Sequence, residues 1–427
     1  MPDMSLRALF RHALMLSAVV GAGSLAGQSH AAPQTTPPVA ENSFGAWGID
    51  LAGRDLAVSP GNNFFRYANG TYIDHLTIPA DMTSYGPFNA LAELSRKRVQ
   101  SILDDLSAHP VSVARTTEEK LGTFYASYMD AAEVERRGTQ PLQQDLDAIR
   151  AIKDMAGFAA LSGTAVGSFQ FGPFSLGINP DAKDPTRYAL TLDQAGLGLP
   201  DRDYYLKPAF AAKKTAYQTY VEKALALAGW PEPAKAAAAI VVFESKLAEV
   251  HWPRADLRDP QKTYNPMTLA DLNAKAPGFD WTAWINAAGL PADNLDKRHL
   301  IVGEPSAITG EAHLLGATDM DTLRAWLAFH LVENATAYLP DSFEQARFVF
   351  TKALTGQPTL TARWKRGVQA TSAAMGMALG KVYVQRYFPP ENRVVMQKLT
   401  TDLKNVFRIR LQNNSWMSAA TKEAALR

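Results

Sequence analysis

The sequence predicts a mainly α fold, a large multi-helix lobe carrying one small β-hairpin. Three observations lead there. Apolar residues recur at helical spacing along most of the 427 residues, with polar caps before the runs and glycine or proline after them. A single region alternates instead, with Phe174, Leu176 and Ile178 followed by Tyr188, Leu190 and Leu192. Hydrophobic residues make up 47% and charged residues 20%, a balance that supports packed cores, and the length exceeds what one core usually takes.

The elements follow in order. Arg7, Arg11 and His12 give a basic start, Ala13 to Leu25 is apolar or small, and Ser29-His30-Ala31 offers a small-x-small cleavage signal. Residues 1–31 therefore read as an export signal peptide cleaved near Ala31, and their apolar run is too short for a permanent membrane span. Residues 32–43, rich in Pro and Thr, read as a flexible linker. From Phe44 the composition turns globular, with no second long linker and no clear repeat. Pro60-Gly61 predicts a turn, Asn62 or Asn63 a cap, and Asn69-Gly70 the end of a short helix anchored by Phe64, Phe65 and Tyr67.

Asn89 to Leu106 has helical spacing. Thr116 with Glu119 forms a capping-box pattern for a helix closed by Gly138. Leu142 to Leu161, Ala209 to Ala228 (stopped by Gly229) and Pro231 to Val250 read as further helices. Between them the alternating region predicts a hairpin with a long loop over Pro180 to Pro185. It is expected to be a short sheet packed on helices, and an exposed edge there would suit an extended peptide. Thr268 with Asp271 and Thr318 with Asp321 open two more helices, the second running through Trp326, Phe329 and Val332. Phe343 to Leu354, Thr361 to Tyr387 and Glu391 to Asn413 complete the series, with Pro389-Pro390 separating the last two. Ser418 caps a final helix that reaches Arg427 without a Gly, Pro or polar tail, and the natural protein is expected to continue past it.

Little in this inventory carries chemistry. Lys plus Arg is 43 and Asp plus Glu is 42, so no broad field draws the chain to nucleic acid. Without cysteine it has no disulfide, no thiolate ligand and no Cys nucleophile. The histidines are His12, His30, His75, His109, His251, His299, His313 and His330; no two stand four apart, so there is no His-Glu-x-x-His helix. No Gly-x-Ser-x-Gly turn occurs. Gly196 to Leu206 has glycines at alternate positions, but no Gly-Lys-Ser or Gly-Lys-Thr follows. It reads as a tight turn leading into a helix, with Asp201, Arg202 and Asp203 capping or pairing locally. Glu244, Glu249 and His251 are ligand types, but their spacing matches no metal site, and a histidine past a helix end is favoured electrostatically without one. No catalytic, cofactor-binding or metal residue is assigned.

The segments in sequence resemble the N-terminal portion of the neprilysin-like zinc peptidases, the M13 family. The resemblance rests on Gly48-Ile49-Asp50-Leu51, Pro60 to Gly70, Ile78-Pro79 and Ser84-Tyr85-Gly86-Pro87-Phe88. Gly196 to Leu206, His251-Trp252, Arg258-Asp259-Pro260 and Lys262-Thr263-Tyr264-Asn265 continue it. Arg363-Trp364-Lys365-Arg366, Tyr387-Phe388-Pro389-Pro390 and Trp416-Met417-Ser418 complete it. It implies the N-terminal part of a two-lobed zincin-type metallopeptidase. Residues 44–84 would be an opening segment associated with the catalytic lobe. Residues 85–427 would be the helical N-terminal domain, ending before the zinc-binding catalytic domain. The family's zinc ligands and catalytic acid lie beyond that point, so none is carried onto this chain. Mammalian members hold the substrate's C-terminal side with two arginines; the aligned positions here are Ser84 and Ala92, with Arg96 and Arg98 out of register.

The implied whole protein is an exported zinc metalloendopeptidase cutting short peptides, with zinc as cofactor. Animal members are stapled by cysteines that this chain lacks, and with the export signal this looks like a bacterial, periplasmic or secreted member. This region would wall the cavity and restrict substrate size, and would be inactive alone. A non-catalytic exported helical peptide-binding protein and an inactive fragment stay open as rivals.

Overall fold

A computed structural model describes residues 51–111, 113–165, 168–290 and 300–427. The signal peptide, the linker, the Gly48-Ile49-Asp50 stretch and His299 lie outside the described residues. The chain divides into two compact units. One reaches to Ala90 and includes Thr355–Thr359; the other comprises Leu91–Leu354 and Leu360–Arg427.

In the smaller unit Asn63 caps α1 (Phe64–His75) by accepting the Arg66 amide at 2.9 Å. Asn69-Gly70 does not end this helix. Gly70 is its one buried residue, and a Cβ there would stand 2.5 Å from Cβ of Asp55. Glycine here serves close approach rather than a turn. Asp55 N–H donates to the Tyr67 carbonyl at 2.9 Å, and the Thr71 hydroxyl to that of Arg54 at 2.8 Å.

After α2 (Pro87–Ser107) comes α3 (Thr117–Met129), opened by the expected Thr116–Glu119 box. It stops nine residues short of Gly138 because Asp130 turns the chain: its carboxylate accepts the Glu133 amide and starts α4 (Ala131–Arg137). The single helix expected over Leu142 to Leu161 likewise becomes α5 (Gln143–Arg150) and α6 (Met155–Gly163). Asp154 caps α6, and the Ile152 carbonyl in the break is taken by Arg324 Nε at 2.9 Å.

β1 (Phe174–Asp181) and β2 (Asp184–Gln194) form the hairpin, pairing Leu176 with Leu192 and Ile178 with Leu190. Its turn is short where a long loop was expected. Asp181 accepts the Lys183 amide at 2.9 Å, the Tyr264 hydroxyl at 2.8 Å and the Arg187 guanidinium at 2.9 Å, which pulls Pro180 and Asp181 into the strand across a bulge. The Lys183 amide first, then Tyr264 and Arg187, holds the Asp181 carboxyl down at about 2.

The chain continues through α7 (Asp203–Leu206), α8 (Ala211–Leu227) and α9 (Pro233–Val250). Two strands that no alternation announced follow, β3 (Asn265–Met267) and, after α10 (Leu269–Lys275) and α11 (Trp281–Ala287), β4 (Leu300–Val302). β4 lies parallel to β2 and antiparallel to β3, giving the order β1-β2-β4-β3. Three residues are too few to display a period.

Thr318 caps the end of α12 (Pro305–Ala317), donating to the Leu314 carbonyl at 2.7 Å. The cap of α13 (Met320–Ala335) is therefore Asp319, one residue later than expected. α13 is buried on nearly every side, as a central helix must be. α14 (Asp341–Thr355), α15 (Arg363–Tyr387), α16 (Pro390–Asn413) and α17 (Ala419–Leu426) complete the chain. α15 kinks at Met375 (φ −139°, ψ 34°), just after Thr371 and Ser372 donate to carbonyls four residues back.

The main core surrounds Trp281, Trp326, Tyr217, Phe158 and Phe329. A second cluster joins Ile102 and Leu103 of α2, Leu121 and Tyr125 of α3, and Val368, Leu379 and Val382 of α15.

Candidate functional site

Two of the ionisable groups singled out in sequence, Glu244 and His251, lie in separate buried clusters in α9 and at its C-terminal cap. The first centres on Glu244, fully buried on the face shared with Ile240 and Leu247. Its Oε2 accepts the Tyr205 hydroxyl at 2.6 Å. Its Oε1 meets the Tyr217 hydroxyl and Trp326 Nε1, each at 3.1 Å, and His330 Nε2 at 2.9 Å. Three of the four partners converge on Oε1 and one on Oε2, and the carboxylate accepts from Tyr205, Tyr217 and Trp326. Burial, reinforced by Glu244, raises both tyrosines well above the usual phenol range, so they remain donors. The Tyr205 oxygen also accepts the amides of Gly198 and Leu199, at 3.1 and 2.9 Å. The alternating-glycine segment is thus a tight turn, as expected. Gly198 lies so close to the Tyr217 ring that a Cβ would stand 1.8 Å from its hydroxyl. With its partners filled, this hub ties the turn to α8, α9 and α13.

The second cluster begins where His251 caps α9. His251 Nε2 stands 2.7 Å from Glu311 Oε1, and no other group reaches either Glu311 oxygen. The two groups are close but not aligned for a hydrogen bond, and both Glu311 oxygens lack a hydrogen-bond partner. Burial lowers the imidazole to about 4 even though the Ala195 carbonyl accepts from the ring, and burial with the nearby Glu304 raises Glu311 well above the carboxylate range. Beside it, Trp252 N–H donates to Gln194 Oε1 at 2.7 Å and its carbonyl accepts from Gln194 Nε2 at 3.2 Å. The Gln194 amide donates to Glu304 at 2.9 Å, and Trp252 Nε1 to the Ser306 hydroxyl at 2.7 Å. The pair therefore locks the end of α9 onto β2 and α12.

Glu244, Glu249 and His251 do not converge: Glu249 faces solvent, and the other two belong to separate clusters. Among the described residues no three His, Cys, Asp or Glu side chains gather in a way that fits a metal ion. Arg96 pairs with Glu93, and Arg98 reaches the Tyr383 hydroxyl at 3.3 Å and lies over the Tyr387 ring. Arg363 donates to the Tyr128 carbonyl at 2.7 Å, Lys365 meets Glu93 at 3.1 Å and Arg366 meets Glu344 at 3.3 Å. Asn265 Nδ2 donates to the carbonyls of Lys262 and Val302, pinning β3 to β4. These segments build scaffold.

Sequence reasoning missed Tyr205, Tyr217, Trp326, His330 and Glu311 as partners. The available signal was a glutamate on the apolar face of a helix: Glu244 between Ile240 and Leu247, and Glu311 between Ile308 and Leu315.

Large apolar surfaces stay uncovered. α16 buries no residue, and Leu399, Leu403 and Phe407 form an exposed stripe at helical spacing. In the smaller unit Phe64, Phe65 and Phe88 are exposed, the last by 88%.

Comparison with known proteins gives these features a context. The family model described as Peptidase family M13 matches residues 60–427. Bovine (Bos taurus) endothelin-converting enzyme 1 is 25% identical over 424 residues, covering 97% of this chain and 56% of that protein. The human (Homo sapiens) enzyme is 26% identical over 388 residues, covering 88% and 50%. The crystal structure of Mycobacterium tuberculosis zinc metalloprotease ZMP1 in complex with inhibitor superposes with a TM-score of 0.80 at 32% identity, over 89% of this chain and 57% of that one. PepO from Lactobacillus rhamnosis shares the fold, with a TM-score of 0.73 at 19% identity, over 86% and 58%. The chain spans about half the length of the curated relatives it matches.

Proposed function

Because this chain belongs to peptidase family M13, we propose that it is the scaffold half of an exported zinc metalloendopeptidase that cuts short peptides. The family match over residues 60–427 carries the reading, supported by the likeness to the zinc metalloprotease ZMP1. The chain covers 56% of bovine endothelin-converting enzyme 1 and 57% of ZMP1, which supports placing the metal and the catalytic acid in sequence beyond residue 427. The uncovered stripe of α16 supports a further domain packing there, since apolar faces of this size normally mark an interface. Residues 44–84 are assigned to the catalytic side and residues 85–427 to the helical domain.

The work of this region is to wall the cavity and limit substrate size, and its buried hubs suit a rigid wall. Residues 1–31 would direct the protein to the periplasm or outside a bacterial cell. No helix among the described residues is long and apolar enough to cross a membrane.

The test is expression of the whole reading frame beside the 427-residue chain, each given a mixture of short peptides and a folded protein. We expect zinc-dependent cleavage of the short peptides by the longer product only. Cleavage or stoichiometric catalytic zinc in the 427-residue chain overturns the assignment. Peptide binding without cleavage by the whole protein favours the non-catalytic peptide-binding reading.

A further inference from the structure

The edge of the sheet has a chemistry that the wall reading leaves unused. Among the described residues β1 is the terminal strand, paired only with β2, and no backbone group of another described segment bonds to its outer side. Natural edges are guarded by charge, proline or a bulge. Here Pro180 and the bulge beside it guard only the tip. From Ser175 to Asn179 there is no charged side chain and no proline. The strand's one charge, Asp181, is tied to Arg187 and Tyr264. On one face Ile178 is 64% exposed, and Tyr188, opposite Pro180, is 76% exposed. The other face presents Ser175 and Asn179, with Asn179 Nδ2 held at 3.0 Å by the Thr191 hydroxyl.

An unguarded run of unpaired N–H and C=O groups is matched by one kind of ligand, an extended backbone, with alternate side chains read by the flanking faces. We propose that the outer edge of β1 over Ser175–Asn179 is a secondary subsite that holds a stretch of peptide as an added strand, with an apolar side chain beside Ile178. The inference rests on the peptidase reading, which supplies peptides as the ligand class. A second copy of the chain is the weaker occupant. The open run spans only about 17 Å before the bulge ends it, short for a stable dimer but sufficient to orient a substrate.

The test is amide hydrogen exchange on the full-length protein, with its metal chelated so that the peptide stays uncut. The probe is a short end-blocked peptide of alternating Thr and Val, beside its fully N-methylated counterpart. We expect alternate amides of Ser175–Asn179 to exchange about tenfold more slowly with the first peptide and unchanged with the second. Ile178→Lys, on an exposed position, should abolish that protection while leaving the melting temperature unaltered. Saturating peptide with no change at β1 overturns the subsite, and if the metal-loaded enzyme still cuts the peptide the peptidase reading survives. Protection that appears without peptide and grows with protein concentration assigns the edge to a second copy and also overturns it. Protection at β1 by an enzyme that never cuts the peptide keeps the edge and sinks the peptidase reading.

Discussion

At the residue scale, two glutamates buried among apolar side chains set the sharpest expectations. Glu244→Gln places an amide donor among groups that already donate, and should cost about 1–3 kcal/mol in urea unfolding. Gly198→Ala drives a methyl into the Tyr217 hydroxyl and should cost about 2–3 kcal/mol. Adding Tyr217→Phe should make the double variant less damaged than the sum of the two, because the clashing oxygen is gone. Simple additivity would place the strain elsewhere.

The His251–Glu311 pair makes a pH prediction. Its two groups shift in opposite directions, from ordinary values of 6.5 and 4.5. Burial keeps a proton on the folded Glu311 that the unfolded carboxyl releases above 4.5, so this group's contribution falls as pH rises from 4.5 towards its raised value, by about 1.4 kcal/mol per pH unit. The unfolded His251 holds a proton up to 6.5 that the folded one gives up above about 4, a slope of opposite sign, so the two cancel where they overlap and the alkaline loss shows once the histidine's range is passed. Below 4.5 the unfolded chain takes up a second proton, which the folded pair resists until about 4, and stability falls again. Glu311→Gln should remove the alkaline loss and leave an acid loss between 6.5 and about 4, read from unfolding midpoints across pH. An unchanged alkaline limb would exclude a proton held on the buried Glu311 carboxyl.

At the element scale, local chemistry and tertiary contacts compete, and the outcome depends on the turn. The Thr116–Glu119 and Thr268–Asp271 boxes form as their sequences dictate. Elsewhere a cap inside a helical pattern wins: Asp130 and Asp154 each divide a run that periodicity alone joins. Asp130→Ala should cost about 1 kcal/mol and raise exchange in the first turn of α4. A variant with α4 unaltered would mean that packing, rather than the cap, fixes the break. The hairpin was legible from its alternation, but its turn was not. Pro180 and Asp181 look like loop residues until Lys183, Tyr264 and Arg187 bind the aspartate, and Tyr264 lies 83 residues away.

At the scale of the whole molecule, the buried hubs and bare outer helices point to different duties. α9 is fixed to α12 and α13 through buried polar contacts, whereas α16 offers its apolar stripe to solvent. The 427-residue chain should therefore self-associate in sedimentation. Joint replacement of Leu399, Leu403 and Phe407 by serine should suppress this, with a change in stability within about 0.5 kcal/mol, as for exposed positions. In the longer product proposed above, the same triple change should be clearly destabilising. Equal effects in both proteins would argue against a domain packed on that stripe.

The sequence by itself determined the helical class, the hairpin and the caps at Asn63, Thr116, Thr268 and Ser418, because these depend on periods and side chains within a few residues of one another. It also carried the family resemblance, since the ordered run from Pro60 to Ser418 survives without any knowledge of contacts. Tertiary structure alone decided that β4 enters the sheet, that Gly70 continues a helix, and that Glu244 and His251 serve separate clusters. The reason is physical. A buried carboxylate needs partners, and those partners come from helices distant in the chain, as His330 lies 86 residues from Glu244. Spacing shows that a glutamate sits on an apolar face, but only packing determines which donors meet it.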